Sequence, residues 1–190
     1  MSSLRCPSAF KSVVVVTLVC AAALPSCSVN ILEEFGDPLT DKAKLFDAKQ
    51  LLNRADYAGA VAKFAEMSAD FLDKRDVKIL HASAHGGLCG IDFLDIVEAL
   101  ENISSTRIMV WLMDAFQNGD ATKQAACKEA ETLIQEIGTF GASRTGDENL
   151  LMAFVGLAKM GTILSRYGDA GTPDGVVDAG FDPCDPGDLP

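Results

Sequence analysis

The sequence predicts an all-helical body. Apolar residues recur every three or four positions through most of the chain, as in the stretch that carries Tyr57, Val61 and Phe64; this spacing is typical of amphipathic α-helices. Outside the N-terminal leader, no stretch alternates apolar and polar residues with the β-branched enrichment of a strand. Turn residues such as Asn118-Gly119 separate the helical segments.

The chain begins with the features of an export signal. Arg5 and Lys11 form a positive region, and residues 12–24, "SVVVVTLVCAAAL", are uncharged and apolar. This stretch is shorter than the roughly 20 apolar residues that a membrane span needs. Residues 31–41 are polar and acidic, so no stop-transfer pattern follows.

Residues 24–27, "LPSC", resemble the lipobox of bacterial lipoproteins, in which a Leu and two small residues precede a lipidated Cys. The resemblance implies that residues 1–26 are a signal peptide and that Cys27 becomes the first mature residue, carrying a diacylglycerol. Two or three acyl chains anchor a protein without a membrane span. The residue after the lipidated Cys is Ser28 and not Asp. In lipoproteins of two-membrane bacteria the absence of Asp there is typical of outer-membrane sorting, so the resemblance implies an outer-membrane protein whose body faces the periplasm. The competing interpretation is an ordinary signal peptide with an incidental Cys.

Charge limits the partners of the mature chain. Removal of residues 1–26 takes away Arg5 and Lys11, so the net charge changes from −11 to −13. So acidic a surface repels phosphate backbones and excludes nucleic acid as an expected partner. The same negative charge attracts cations and basic proteins, which are therefore the expected binding partners. The remaining length is enough for one domain with a core.

Three cysteines remain after Cys27 is lipidated: Cys89, Cys127 and Cys184. In an oxidising periplasm they allow at most one internal disulfide and one leftover thiol. The sequence leaves the pairing open. Cys127 falls on an apolar helical face, so it is equally well interpreted as a small buried hydrophobe.

The elements follow in order. Residues 27–40 lack a sustained period and are expected to form a tether, with Thr40 as the N-cap of the first helix. Asp120 is expected to cap a later helix whose apolar face carries Cys127 and Ile134. The predicted helical domain, 41–166, contains helices at 41–54, 56–74, 76–88, 91–103, 106–116, 121–137 and 150–164.

The last helical segment and the C-terminal segment differ in composition from the rest of the chain. Residues 150–164 are apolar nearly all round, which predicts the central buried helix; their length falls short of a membrane span. Residues 167–190 hold six Asp, five Gly and four Pro with no Lys or Arg, which predicts an acidic loop or tail.

Tyr57, Ala60 and Phe64 follow a short polar turn at offsets of three and four. They resemble the second helix of a tetratricopeptide repeat, in which a small Ala allows close helix approach. At the period of about 34 residues, Ala48 corresponds to Ala82. The resemblance covers residues 41–101 and implies helical hairpins with a groove that holds a protein or peptide; Leu94 departs from the Ala that the family prefers. An unrelated helical bundle is the alternative.

Two groups of residues are candidate metal ligands. His81 and His85 are four residues apart, with Cys89 one turn further, which is ligand spacing for zinc or copper. Gly86 and Gly87 are expected to loosen the helix before Cys89, and the competing interpretation is a pair of structural histidines.

The tail contains a second candidate site. Residues 169–182 resemble an EF-hand or dockerin calcium loop: Asp174 and Asp178 match the fifth and ninth positions, and Asp169 matches the first by a one-residue shift. The competing interpretation is an acidic, turn-rich tail.

No nucleophile elbow, P-loop or dinucleotide-binding motif occurs in the sequence. The sequence therefore favours a membrane-anchored, non-enzymatic envelope lipoprotein that binds a protein partner. A lipoprotein that binds calcium or a small ligand is the alternative, and an envelope enzyme using His81 and His85 is a third possibility.

Overall fold

A computed structural model describes residues 39–92, 96, 108–172, 174–182 and 185 of the 190-residue chain. The predicted signal peptide, Cys27, most of the tether, most of the helix predicted at 91–103, and Cys184 lie outside the described residues. Within those residues there are seven α-helices, one 3-10 turn and no strand. The helices are α1 (Asp41–Asn53), α2 (Tyr57–Ala65), α3 (Ala69–Leu72), α4 (Arg75–Cys89), α5 (Ile108–Ala115), α6 (Ala121–Ile137) and α7 (Gly146–Gly168), and the 3-10 turn is Gly141–Ser143. The prediction of an all-α body is confirmed for this part of the chain.

Local capping chemistry determines where several helices begin. The Thr40 hydroxyl accepts from the backbone N–H of Ala43 at 3.3 Å, and an Asp120 carboxylate oxygen accepts from that of Lys123 at 2.8 Å. Both predicted N-caps are therefore confirmed. At the start of α7, Thr145 and Glu148 form a reciprocal capping box.

The first hairpin consists of α1 and α2, and it packs against α4. Its core holds Ala48, Ala60, Phe64 and Val77, none of which has measurable solvent exposure. Small residues at Ala48 and Ala60 bring the helices close together, and the Phe64 ring fills the space beside them.

Helix α4 is the central helix of the described fold, with α2 on one side and α6 on another. It runs antiparallel to α6. At one end Lys78 is paired with Glu136, and at the other Cys89 is bonded to Cys127 with a Cα–Cα distance of 4.8 Å. The disulfide lies in a core cluster with Trp111 and is fully buried.

Helix α7 differs from the predicted central buried helix. It is 23 residues long, from Gly146 to Gly168, and so extends beyond the predicted bounds of 150–164 at both ends. Val155 and Ala158 are buried, but Leu150 is 53% exposed and Met160 is 50% exposed. The prediction was wrong because α7 lies at the edge of the bundle, where one face has no helix against it among the described residues.

Its length and composition make α7 the one helix in the described part of the chain that could cross a membrane on those criteria alone. The prediction that this helix is too short to span was therefore wrong. Its polar contacts tie it to the body instead: Lys159 donates to Glu131 of α6 at 2.5 Å, and Arg166 donates to Gln124 at 2.7 Å. Both contacts hold α7 against α6.

Two further expectations about helix continuity differ from the structure. The helix expected over 56–74 divides at Ser68, which takes an extended conformation before α3 and donates its hydroxyl hydrogen to Asp41 at 2.5 Å. The helix predicted at 76–88 is α4, and it runs unbroken through Gly86 and Gly87, so the expectation that these glycines loosen it was wrong. It ends at Cys89, before Gly90, whose φ of 101° is left-handed.

The segment after α7 folds back on the bundle. The Asp178 N–H donates to the Gly168 carbonyl at 2.6 Å, and the Phe181 ring packs beside Gly168. Gly175 lies against Asp114 of α5. The described residues of the predicted tail are therefore an ordered loop in contact with α5 and α7.

Candidate functional site

A shallow groove opens between α3, α4 and α6. It has a volume of about 390 Å³, and its polar lining includes Asp70, Asp73, Lys78, His81 and Glu136. The short helix α3 forms one wall because the chain turns at Ser68 and again before α4. Three carboxylates face one lysine and one imidazole, so the lining carries a net negative charge at neutral pH.

Lys78 joins the three walls of the groove. Its ammonium donates to an Asp73 carboxylate oxygen at 2.7 Å and lies 2.9 Å from a Glu136 oxygen, while the residue is 9% exposed. The hydrogen bonds that Lys78 donates to Asp73 and Glu136 raise the pKa of Lys78, and the bond that Asp73 accepts lowers the pKa of Asp73. Lys78 is therefore a structural cation that fixes the shape of the groove.

His81 and His85 lie together on one face of α4. Their Nε2 atoms are 3.2 Å apart, and their ring centroids are separated by 4.9 Å. The His81 ring stacks on Phe64 at a centroid distance of 4.8 Å. Both imidazoles are half-buried, and His81 also lines the groove.

Burial disfavours the protonated form of both histidines. It lowers the pKa of His81 to about 4, with a further contribution from His85. Burial also lowers the pKa of His85, although the carboxylate of Glu129 on α6 opposes that shift. Both imidazoles are neutral at neutral pH, so each presents a lone pair that a proton does not occupy.

Cys89 does not join the two histidines as a ligand. Its Sγ is bonded to that of Cys127, which removes the thiolate that a metal would need. The hypothesis of a His81, His85 and Cys89 site was therefore wrong, and the open question of disulfide pairing is answered for these two residues. His81, His85 and Cys89 do lie four residues apart on one helix, but the Cys89 side chain is bonded to α6.

The predicted calcium ligands, Asp169, Asp174 and Asp178, lie in the segment after α7, where each accepts hydrogen bonds from backbone N–H groups. Asp169 is 2% exposed and accepts from the backbone N–H groups of Asp174 and Gly175 at 3.3 and 2.8 Å. Asp178 accepts from the Gly171 N–H at 2.8 Å. These carboxylates hold the loop in shape by binding its own backbone.

No set of three or more His, Cys, Asp or Glu side chains is arranged to hold a metal ion within the residues that the structure describes. The calcium site at Asp169, Asp174 and Asp178 stays a prediction. In the observed geometry these side chains serve the loop itself.

The residues that suggested a tetratricopeptide repeat are structural. Ala60 and Phe64 are fully buried, and the half-buried Tyr57 ring packs on α4 so closely that a Cβ added at Gly87 would lie 2.3 Å from it. Ala60 and Phe64 therefore present no surface to a partner. Variants at Phe64 would test the stability of the hairpin rather than partner binding.

Sequence reasoning did not single out Asp70, Asp73, Lys78 or Glu136. Asp73 and Lys78 are separated by a helix boundary, and Glu136 reaches them only through the packing of α6 on α4. The one local signal is a lysine, Lys78, beside the core residue Val77. No periodicity in the sequence connects it with its partners.

Comparison with known proteins adds no assignment: no family model, no curated protein and no solved structure matches this chain.

Proposed function

We propose that this protein is a bacterial envelope lipoprotein, anchored through Cys27, whose helical body binds a cationic segment of a partner protein. The groove between α3, α4 and α6 is the observation that carries the proposal. It is a concave site on helices, which suits a peptide segment better than a flat surface does. The anchor, in this proposal, holds the groove on the periplasmic side of the outer membrane.

The charge of the groove favours a basic occupant. Asp70 is exposed at one wall, and Asp73 and Glu136, though paired with Lys78, keep 80% and 51% of their side-chain surface exposed. The whole chain carries a net charge of −11. Lysine or arginine side chains of a partner would be attracted over long range and would meet complementary charge in the groove.

The buried disulfide supports an extracytoplasmic location. Disulfides persist in oxidising compartments such as the periplasm and are rare in the cytosol. The bond between Cys89 and Cys127 links two helices of the core. A chain exported by the leader at residues 1–26 would form it after translocation.

The binding proposal is tested by cross-linking the full lipidated chain in its own cells, followed by affinity capture and mass spectrometry. Asp70→Lys reverses a charge in the groove, and Asp47→Lys makes the same change on the exposed surface of α1. We expect one dominant partner with a basic segment, lost with Asp70→Lys and retained with Asp47→Lys. Equal capture by both variants would contradict the groove as the binding site.

The anchor is tested separately by lipid labelling. We expect cells fed a clickable fatty acid to label the chain at Cys27, and Cys27→Ser to abolish that labelling. Mass spectrometry of the mature N-terminal peptide should then show a lipidated residue 27. Cleavage at another position, without lipid, would show that the leader is an ordinary signal peptide.

A further inference from the structure

The two imidazoles of α4 are already separated by the distance between two ligands of one metal ion. Zinc–nitrogen bonds are about 2.0–2.1 Å long, so two nitrogens on a tetrahedral ion lie about 3.3–3.4 Å apart. The Nε2 atoms of His81 and His85 are 3.2 Å apart. An ion could be held by both with a change of a few tenths of an ångström, which small side-chain rotations supply.

We propose that His81 and His85 form a two-imidazole chelate site for a divalent transition-metal ion. Water or an external ligand in the groove completes its coordination. The class of metal follows from the donors. Neutral imidazole suits copper, zinc and nickel, whereas calcium and magnesium require oxygen ligands. By the usual order of affinities, copper(II) binds more tightly than zinc.

The surroundings of the pair favour this chemistry. The two Nε2 atoms are hydrogen-bonded to each other, so a bound ion displaces one proton from the pair, which moves to the Nδ1 of the same ring or to water. The stacking of His81 on Phe64 restricts that ring, which lowers the entropy lost when an ion is bound.

The groove supplies access and the remaining coordination positions. His81 lines it, so an ion at the pair can exchange with solvent and keep water as a ligand. A site with open positions has the character of an exchangeable or catalytic site rather than a closed structural one. Both protein ligands belong to α4, and metal binding does not require a protein partner in the groove.

The composition of the chain makes the spectroscopic test unambiguous. His81 and His85 are the only two histidines in the sequence. Any imidazole nitrogen detected on a bound metal must therefore come from this pair, provided that the protein is purified without a histidine tag. A variant lacking both residues is free of histidine altogether.

The experiment titrates the full lipidated chain, in non-ionic detergent, with copper(II) chloride and separately with zinc chloride. Calorimetry gives the stoichiometry and affinity, and electron paramagnetic resonance of the copper sample counts the nitrogen ligands. We expect one ion per chain, tighter binding of copper, and a two-nitrogen hyperfine pattern. His85→Gln should weaken binding about 100-fold, because loss of one donor removes the chelate effect.

Controls separate the site from the fold and from other donors. His81→Gln should show the same loss, and circular dichroism of each variant should show retained helix content. Ser83→Ala, on the same helix between the two histidines, should bind like the wild type. Binding that is equally tight in the His81→Gln/His85→Gln double variant, or a copper spectrum without two nitrogens, would overturn the proposal.

Discussion

The disulfide between α4 and α6 should contribute a large part of the stability of the body. Cys89 and Cys127 are 38 residues apart in sequence. The chain-entropy relation for a loop of this length gives a loss of about 13 cal/mol/K in the unfolded state, or about 4 kcal/mol at 25 °C. That value is comparable to the whole stability of a marginal domain, which is about 5–15 kcal/mol.

The assay compares the chain from residue 39 onward, which forms one compact unit, in three states. These are the oxidised wild type, the wild type reduced in denaturant and refolded with reductant present, and the Cys89→Ala/Cys127→Ala variant. Trp111, the only tryptophan, is 5% exposed in the same core cluster as the two cysteines, so its fluorescence reports their region directly.

At a urea dependence of about 2 kcal/mol/M, loss of the cross-link should lower the unfolding midpoint by about 2 M. The reduced wild type isolates the cross-link itself, and the double variant should be equal to it or slightly less stable because two sulfur atoms no longer pack. Equal midpoints for the oxidised and reduced proteins would refute the reasoning. So would a peptide map in which Cys89 is linked to any residue other than Cys127.

Two further perturbations test the packing of α7 and its ion pair. Gly161→Ala should destabilise the fold, because the added Cβ would lie 2.4 Å from the Phe116 ring. Gly156→Ala in the same helix adds a Cβ that meets nothing within 4 Å, so it should stabilise the fold by up to about 1 kcal/mol. Chemical denaturation of both variants measures the two changes in unfolding free energy, and changes of the same sign would contradict the reasoning. The Arg75 hydrogen bonds lower the pKa of Glu148 from 4.5 to about 2, so the pair should contribute stability above pH 4.5 that is lost as the pH falls toward 2. Thermal melting across that range should show a shallower decline for Glu148→Gln than for the wild type, and parallel declines would exclude the ion pair as a cause.

Features set by neighbours in sequence could be predicted from sequence. Thr40 and Asp120 act as N-caps because the groups that they bind lie three residues further along. The amphipathic spacing of Tyr57, Val61 and Phe64 likewise predicted a buried helical face, and Phe64 is fully buried. In each case the partner or the buried face follows from helix geometry alone.

Features set by packing could not be predicted. The exposed Leu150 and Met160 show that apolar composition does not tell which helix face other elements cover. The pairing of Cys89 with Cys127 and that of Lys78 with Glu136 both require the antiparallel contact of α4 and α6. For the same reason, the sequence showed two histidines in register but did not show that the cysteine one turn away faces elsewhere.

The proposed repeat has one testable correspondence in the described residues. Helices α1 and α4 begin 34 residues apart, at Asp41 and Arg75, which is the period of a tetratricopeptide repeat. Ala48 and Ala82 occupy matching positions and both are fully buried. Their neighbours differ, since Ala48 packs within the first hairpin whereas Ala82 packs with residues of α6 and α7. Helix α4 is therefore the junction between the first hairpin and the helices that follow.

Both proposals depend on that junction, yet single residues can separate them. Asp70 lines the groove but has no nitrogen donor, whereas His85 belongs to the imidazole pair but does not line the groove. Asp70→Lys should therefore abolish partner capture while the two-nitrogen copper spectrum persists. His85→Gln should abolish the two-nitrogen copper spectrum while partner capture persists. If the partner recognises the ion itself, both variants lose partner capture and only His85→Gln loses the metal.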